Sequence, residues 1–101
     1  MIKIKKRIIS NTEKAYIIAE IGLSHNGILK NAIKMIDASS KAGADAVKFQ
    51  MHFAEYESSV HEKFRSGFKF KDKSRYDYWK RTAFTYSQWD LIRKHCLKKK
   101  I

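Results

Sequence analysis

The stretch from residue 16 to residue 50, YIIAEIGLSHNGILKNAIKMIDASSKAGADAVKFQ, restricts the fold more than any other part of the chain. Two short apolar runs, at 16–19 and 44–49, bracket an amphipathic segment. Within it Leu29, Ala32, Ile33, Ile36 and Ser40 recur at helical spacing, which predicts a helix over 29–41 with one packed stripe. Lys30, Lys34, Asp37 and Lys41 fall on its opposite, solvent side. Gly43 follows where a helix C-cap is wanted. Strand, loop, helix, loop and strand make one βαβ unit, whose crossover requires parallel strands. Continuous apolar character in the first strand predicts burial of both its faces, as in a parallel sheet.

The polar residues of this unit fall at the strand ends. Glu20 closes the first apolar run. Lys48 interrupts the second between Val47 and Phe49, and Gln50 follows it. Open and closed parallel sheets gather ligands beyond the carboxyl ends of their strands. Glu20, Lys48 and Gln50 are therefore expected on one rim. A carboxylate, an ammonium and an amide placed together suit binding and turnover of a small polar anion. Charges at the end of buried strands are otherwise tolerated only when paired or solvated. A simple salt bridge is thus the alternative for both Glu20 and Lys48. Asp45 opens the second strand, at the other end of the sheet. The loop over 21–28 adds Ser24, His25 and Asn26 between Gly22 and Gly27. His25 is either a hydrogen-bonding loop residue or a proton-transfer group or metal ligand.

The flanks carry less chemistry. Residues 1–15 alternate loosely and suit a short strand or hairpin arm turning at Ser10 and Asn11, with a structural role such as plugging the N-terminal mouth of a barrel. Residues 51–85 form a long polar and aromatic connection, with a helical turn expected near 76–81. Connections of that length are usually functional or carry short helices of their own. A last helix is expected over 86–98. It would be capped by Thr85 with Gln88, or by Ser87 with Asp90, and would bury Trp89, Ile92 and Cys96.

Charge and composition then remove several classes. The 101 residues carry 22 Lys and Arg against 10 Asp and Glu, a net charge of +12. Such an excess attracts nucleic acid, acidic membranes or anionic substrates. The lysines are scattered rather than gathered on one helix face, apart from 98–100. The mixture Phe68-Lys69-Phe70-Lys71 within 63–81 is the one feature that suits base stacking; anchoring of the connection by its aromatics is the competing reading. A single cysteine, Cys96, excludes an internal disulfide and a thiolate zinc site and suits a reducing cytoplasm; packing is its expected role. Apolar runs are far shorter than the ~20 residues of a membrane span, and no signal-peptide core is present, so no membrane partner is expected. The glycines match neither a dinucleotide fingerprint nor a phosphate loop.

Ile18-Ala19-Glu20-Ile21-Gly22-Leu23-Ser24-His25-Asn26-Gly27, followed by Ala42-Gly43-Ala44-Asp45-Ala46-Val47-Lys48-Phe49-Gln50, closely resembles the N-terminal part of the sialic acid synthase family, including its legionaminic and pseudaminic acid relatives. Tyr78-Trp79-Lys80-Arg81-Thr82-Ala83-Phe84 and Gln88-Trp89 extend the likeness to roughly residues 15–97. The resemblance implies the α/β fold of a (β/α)8 TIM barrel, of which about two βα units are present. It implies condensation of phosphoenolpyruvate with N-acetylmannosamine or a related N-acetylated amino sugar, assisted by manganese or magnesium, in a homodimer. By the same resemblance Glu20 is a catalytic proton-transfer group, Lys48 binds phosphoenolpyruvate and Gln50 lies near the sugar. The family's metal-binding histidines come from later strands, so no metal ligand is assigned to His25, His52 or His61. A closed barrel takes about 250 residues. The chain is therefore expected to be an N-terminal fragment, inactive alone, with exposed strand edges. A non-catalytic interaction domain is the alternative, and a small nucleic-acid-binding module is a weaker one.

Overall fold

The computed structural model describes residues 1–64 and 70–101. Two pieces of sheet and two long helices dominate it. A hairpin of β1 (Ile2–Ile4) and β2 (Arg7–Ile9) opens the chain, with Ile2 opposite Ile9 and Ile4 opposite Arg7. Its turn lies at Lys5 and Lys6 rather than at Ser10 and Asn11, and Lys5 takes a left-handed conformation at φ 52. The tighter turn wins because it pairs Ile2 with Ile9 and Lys3 with Ile8 across one ladder.

The βαβ unit consists of β3 (Ile18–Gly22), α1 (Leu29–Lys41) and β4 (Ala46–Phe49), with β3 and β4 parallel. Helix α1 has the predicted limits. It ends in a Schellman motif: Ala44 N–H donates to Ser39 O and Gly43 N–H to Ser40 O. Strand β3 begins two residues later than the apolar run and runs past Glu20. Residue 17 is held outside the strand: Ile17 N–H donates to the Asp45 carboxylate at 2.8 Å, and its carbonyl accepts from Asp45 and Ala46 N–H. Asp45 also binds the Arg7 guanidinium at 2.6 Å, tying the hairpin to the N-terminal end of the sheet.

The connection over 51–85 is more structured than a plain loop. It holds α2 (Ala54–Glu57) and α3 (Arg75–Thr82), the latter capped by Ser74, which accepts from Asp77 N–H. Helix α4 (Tyr86–Lys98) has the expected limits, and the Thr85–Gln88 pair forms a full capping box. Its end supplies its own left-handed cap without glycine. Lys100 sits at φ 59 while Ile101 N–H returns to Cys96 O and Lys100 N–H to Leu97 O.

Helices α1 and α4 pack together and cover one face of the β3–β4 ribbon. Ile21, Ala32, Ile36, Phe84 and Ile92 form the buried core, with Val47, Phe49, Trp89 and Cys96 against it. Cys96 is thus a packing residue, and burial pushes its thiol pKa up. Asp37, expected on the solvent side of α1, instead accepts from His95 Nε2 at 2.6 Å across the α1–α4 seam. That bond holds its carboxyl below the usual carboxylate range.

The first strand is not buried on both faces. Ile18 is 54% exposed, because only one face of the ribbon meets helices among the described residues, and Ile17, outside the strand, is exposed to the same extent. Alternation along the strands sends Ile21, Val47 and Phe49 toward the helices, and Ile18, Glu20, Lys48 and Gln50 to the bare face. No described helix is long and apolar enough to cross a membrane.

Candidate functional site

The bare face carries the three residues expected on the rim, and the register brings them together. Glu20 lies directly opposite Lys48 in the parallel ladder. Lys48 Nζ is 3.0 Å from Glu20 Oε2, with the two side chains 64% and 47% exposed. The pairing shifts immediately after Glu20, so that Gly22 comes opposite Phe49. Gly22 is buried, at φ +55, and leaves the space that lets the neighbouring side chains converge. A Cβ there would lie 3.3 Å from Glu20 Oε1 and 3.5 Å from Gln50 Nε2. A carboxylate, an ammonium and an amide therefore stand side by side at the carboxyl end of two parallel strands. The ammonium can neutralise an anion, the carboxylate can take or give a proton, and the amide can bind a hydroxyl or carbonyl.

One further group joins this rim. His52 follows Gln50 at the next same-face position, and its Nε2 lies 3.1 Å from Gln50 Oε1. Its Nδ1 lies 3.1 Å from Glu57 Oε1, and its ring stacks on Trp79 at 4.3 Å and 7°. Continuing the strand's period of two from Lys48 and Gln50 would have found it. The guanidinium of Arg81 binds Asp72 through two parallel bonds of 2.9 and 2.8 Å and donates to Asn26 Oδ1 at 2.7 Å. It thereby fastens the loop after β3 to α3. No sequence signal distinguished Arg81 from the other basic residues around it.

His25 does not reach the rim. It is fully buried, with its ring 4.4 Å from that of Phe84 and 6.0 Å from that of Phe49. Its Nδ1 accepts from Gly27 N–H at 2.9 Å, so the ring is neutral with its proton on Nε2. Nε2 has no partner among the described residues. The residue serves the loop's shape, and burial lowers its pKa. The unfolded chain takes up this proton near pH ~6.5 while the folded chain does not. Stability is therefore full above that pH and falls as the pH drops toward the folded value, by at most about 1.4 kcal/mol per pH unit. Unfolding midpoints in guanidinium at about pH 7.5 and about pH 5.5 measure the loss, which His25→Asn should reduce. An equal loss in both proteins would assign it elsewhere.

The divalent metal implied by the resemblance finds no ligand set here. Among the described residues no three His, Cys, Asp or Glu side chains are grouped. Glu20 already faces an ammonium that a cation would have to displace. The aromatic–basic segment is engaged internally where it is described. Phe70 stacks on Tyr78 and lies under the Arg81 guanidinium. Phe68 and Lys69 lie outside the described residues.

Comparison with known proteins adds an independent line. A model described as the NeuB family matches residues 35–101. Over 53 residues, 52% of the chain, the sequence is 45% identical to the spore coat polysaccharide biosynthesis protein SpsE of Bacillus subtilis, of which the match spans 14%. Over 43 residues, 42% of the chain, it is 51% identical to the pseudaminic acid synthase of Campylobacter jejuni, spanning 12% of that protein. The crystal structure of the N-acetylneuraminic acid (sialic acid) synthetase of Leptospira borgpetersenii superposes on 99% of the chain with a TM-score of 0.77 at 27% identity. The chain spans 31% of that structure, so it covers a third or less of the length of these relatives. The superposition bears out the fold read from the sequence, α/β and part of a TIM barrel.

Proposed function

The chain belongs to the NeuB family, and on that premise we propose that its Glu20–Lys48–Gln50 rim is part of the active site of a nonulosonic acid synthase. The reaction is the condensation of phosphoenolpyruvate with an N-acetylated amino sugar. The observation that carries the proposal is the register: Glu20 opposite Lys48, 3.0 Å apart, at the carboxyl end of a parallel ladder.

Each residue has a role that its chemistry supports. The Lys48 ammonium offsets the charge of phosphoenolpyruvate, and a fixed cation does so without reorganisation during the reaction. C3 of phosphoenolpyruvate bonds to the aldehyde carbon of the sugar, and the aldehyde oxygen takes a proton to become a hydroxyl. Water adds at C2 and loses a proton, and phosphate departs with cleavage of its C–O bond. Glu20 stands where it can move one of these protons. The Gln50 amide holds an oxygen of the sugar. No step is routed through a metal, for which these residues provide no ligands.

The test uses the protein as its source makes it, whose intact mass is measured first. It is then incubated with phosphoenolpyruvate and, separately, the acceptor sugars of the sialic, pseudaminic and legionaminic acids. Sugar-dependent phosphate release with one of them is the expected result and identifies the acceptor. Release with none would overturn the synthase reading.

A further inference from the structure

The contacts of His52 form a single chain of hydrogen-bonding groups that ends at the rim. Glu57 stands at one end, with its carboxylate 3.1 Å from His52 Nδ1. Glu57 also accepts from Phe53 N–H, and that bond, ahead of the one to His52, holds its carboxyl below the usual range. It is an acceptor only. At the other side of the ring, His52 Nε2 meets the Gln50 carbonyl oxygen, also an acceptor. The amide nitrogen of Gln50 then faces away from the ring, toward Gly22, and makes no hydrogen bond to Glu20. The Glu57 carboxylate, the imidazole and the Gln50 carbonyl, in the orientation observed, are all satisfied at once only when both ring nitrogens carry protons.

Loss of one proton has a definite consequence. The remaining proton stays on Nδ1, because a bond to the charged Glu57 is stronger than one to a neutral amide. Nε2 then presents a lone pair to the lone pairs of the Gln50 carbonyl. Turning the amide over relieves this clash: its NH2 group then donates to Nε2, and its carbonyl takes the outward place. The orientation of the amide therefore follows the protonation of Nε2.

The remaining surroundings of His52 are mixed in charge. Trp79 of α3 stacks on the ring and favours a cation there. Arg75 of α3 lies over the same indole at 4.6 Å and is itself paired to Glu62. Glu55 of α2 and Lys80 of α3 line the cleft beside His52, and Lys48 is paired to Glu20.

We propose that His52 is a positioning residue for the rim. Protonated on both nitrogens, it holds the Gln50 carbonyl and turns the amide N–H donors toward an oxygen acceptor on the substrate; singly protonated, it draws those donors to itself and leaves the carbonyl facing the substrate. The identity of that acceptor as a sugar oxygen rests on the synthase reading. The coupling of amide to imidazole does not.

The test follows ring nitrogens of histidine and side-chain amides of glutamine by 15N NMR in the full protein from about pH 5 to about pH 8, the range in which histidine changes charge. Within this chain Gln88 is the internal control, since its amide caps α4. The Gln50 amide signals are expected to shift with the midpoint of the His52 ring, while those of Gln88 do not. His52→Gln keeps a donor that does not titrate, and His52→Phe keeps a ring on Trp79 without N–H groups. Both should abolish the shift. In the condensation assay the KM for the sugar should rise about 2- to 10-fold through the same midpoint and be flat in His52→Gln. A Gln50 amide that stays still while His52 titrates, a shift that survives in both variants, or a His52 ring that does not titrate in this range would overturn the proposal. Intact coupling in a protein that condenses nothing would instead sink the synthase reading and leave this one standing.

Discussion

Replacing Lys48 by methionine is expected to lower the rate of condensation by about 10²–10³-fold, the effect of removing one preorganised group that stabilises charge in a transition state. Glu20→Gln, which keeps the shape and removes the proton-transfer group, should cost about 10²–10⁴-fold. The decisive comparison is with stability. Both side chains are about half exposed or more. An ion pair in that setting is worth about 0–1 kcal/mol, so a purely structural pair would leave the rate unchanged and shift unfolding by less than that. The two readings therefore differ by orders of magnitude in one assay and scarcely at all in the other. Steady-state phosphate release by the full protein measures the first, and urea unfolding the second. Full activity in Lys48→Met would reduce the pair to a surface salt bridge and remove the anion-binding role.

The largest effect on stability is expected at Gly27. Gly27→Ala should destabilise the protein by about 2–5 kcal/mol, the sum of a left-handed conformation and an overpacked contact. Gly27 sits at φ +76, and a Cβ there would lie 2.5 Å from Arg81 O and 3.0 Å from Thr82 Cα. Both obstacles are backbone of α3, so no side-chain rotation relieves them. Separating the loop from α3 would also strain the Gly27 N–H bond to His25 and the Arg81 bonds to Asn26. Gly43 is the control. Its φ is +86, but a Cβ would meet nothing within 4 Å. Gly43→Ala should therefore lose only about 1 kcal/mol, from conformation alone. Urea midpoints of the two variants measure the difference, and equal losses would mean that the close approach to α3 carries no energy.

Much of this molecule was legible in its residues because the relevant physics is local. Helical spacing over Leu29–Lys41 and a cap at Thr85 define α1 and α4 within the chain's own neighbourhood. The alternation that puts Lys48 and Gln50 on one face is a property of any extended strand. Glu20 joining them followed from parallel pairing, which the crossover helix requires. Where several local solutions compete, local reading failed. The hairpin turned at Lys5 rather than Ser10 because pairing across the ladder decided it. Burial of the first strand on both faces was expected from its continuous apolar run, yet for Ile18 it depends on what covers the second face.

Sequence by itself therefore determined the elements, the direction of the strands and which side chains share the rim. Tertiary structure alone decided the rest. It set the register that brings Glu20 opposite Lys48, because strand pairing is chosen by the packing of Ile21, Val47 and Phe49 under the helices. It buried His25 behind Phe84, a residue 59 positions away, and so turned a loop histidine into a packing group. It also carried α3 back against the segments that follow β3 and β4, where Trp79 meets His52 and Arg81 meets Asn26. Such contacts join residues whose separation along the chain leaves no periodic trace, and only the closing of the chain on itself brings them together.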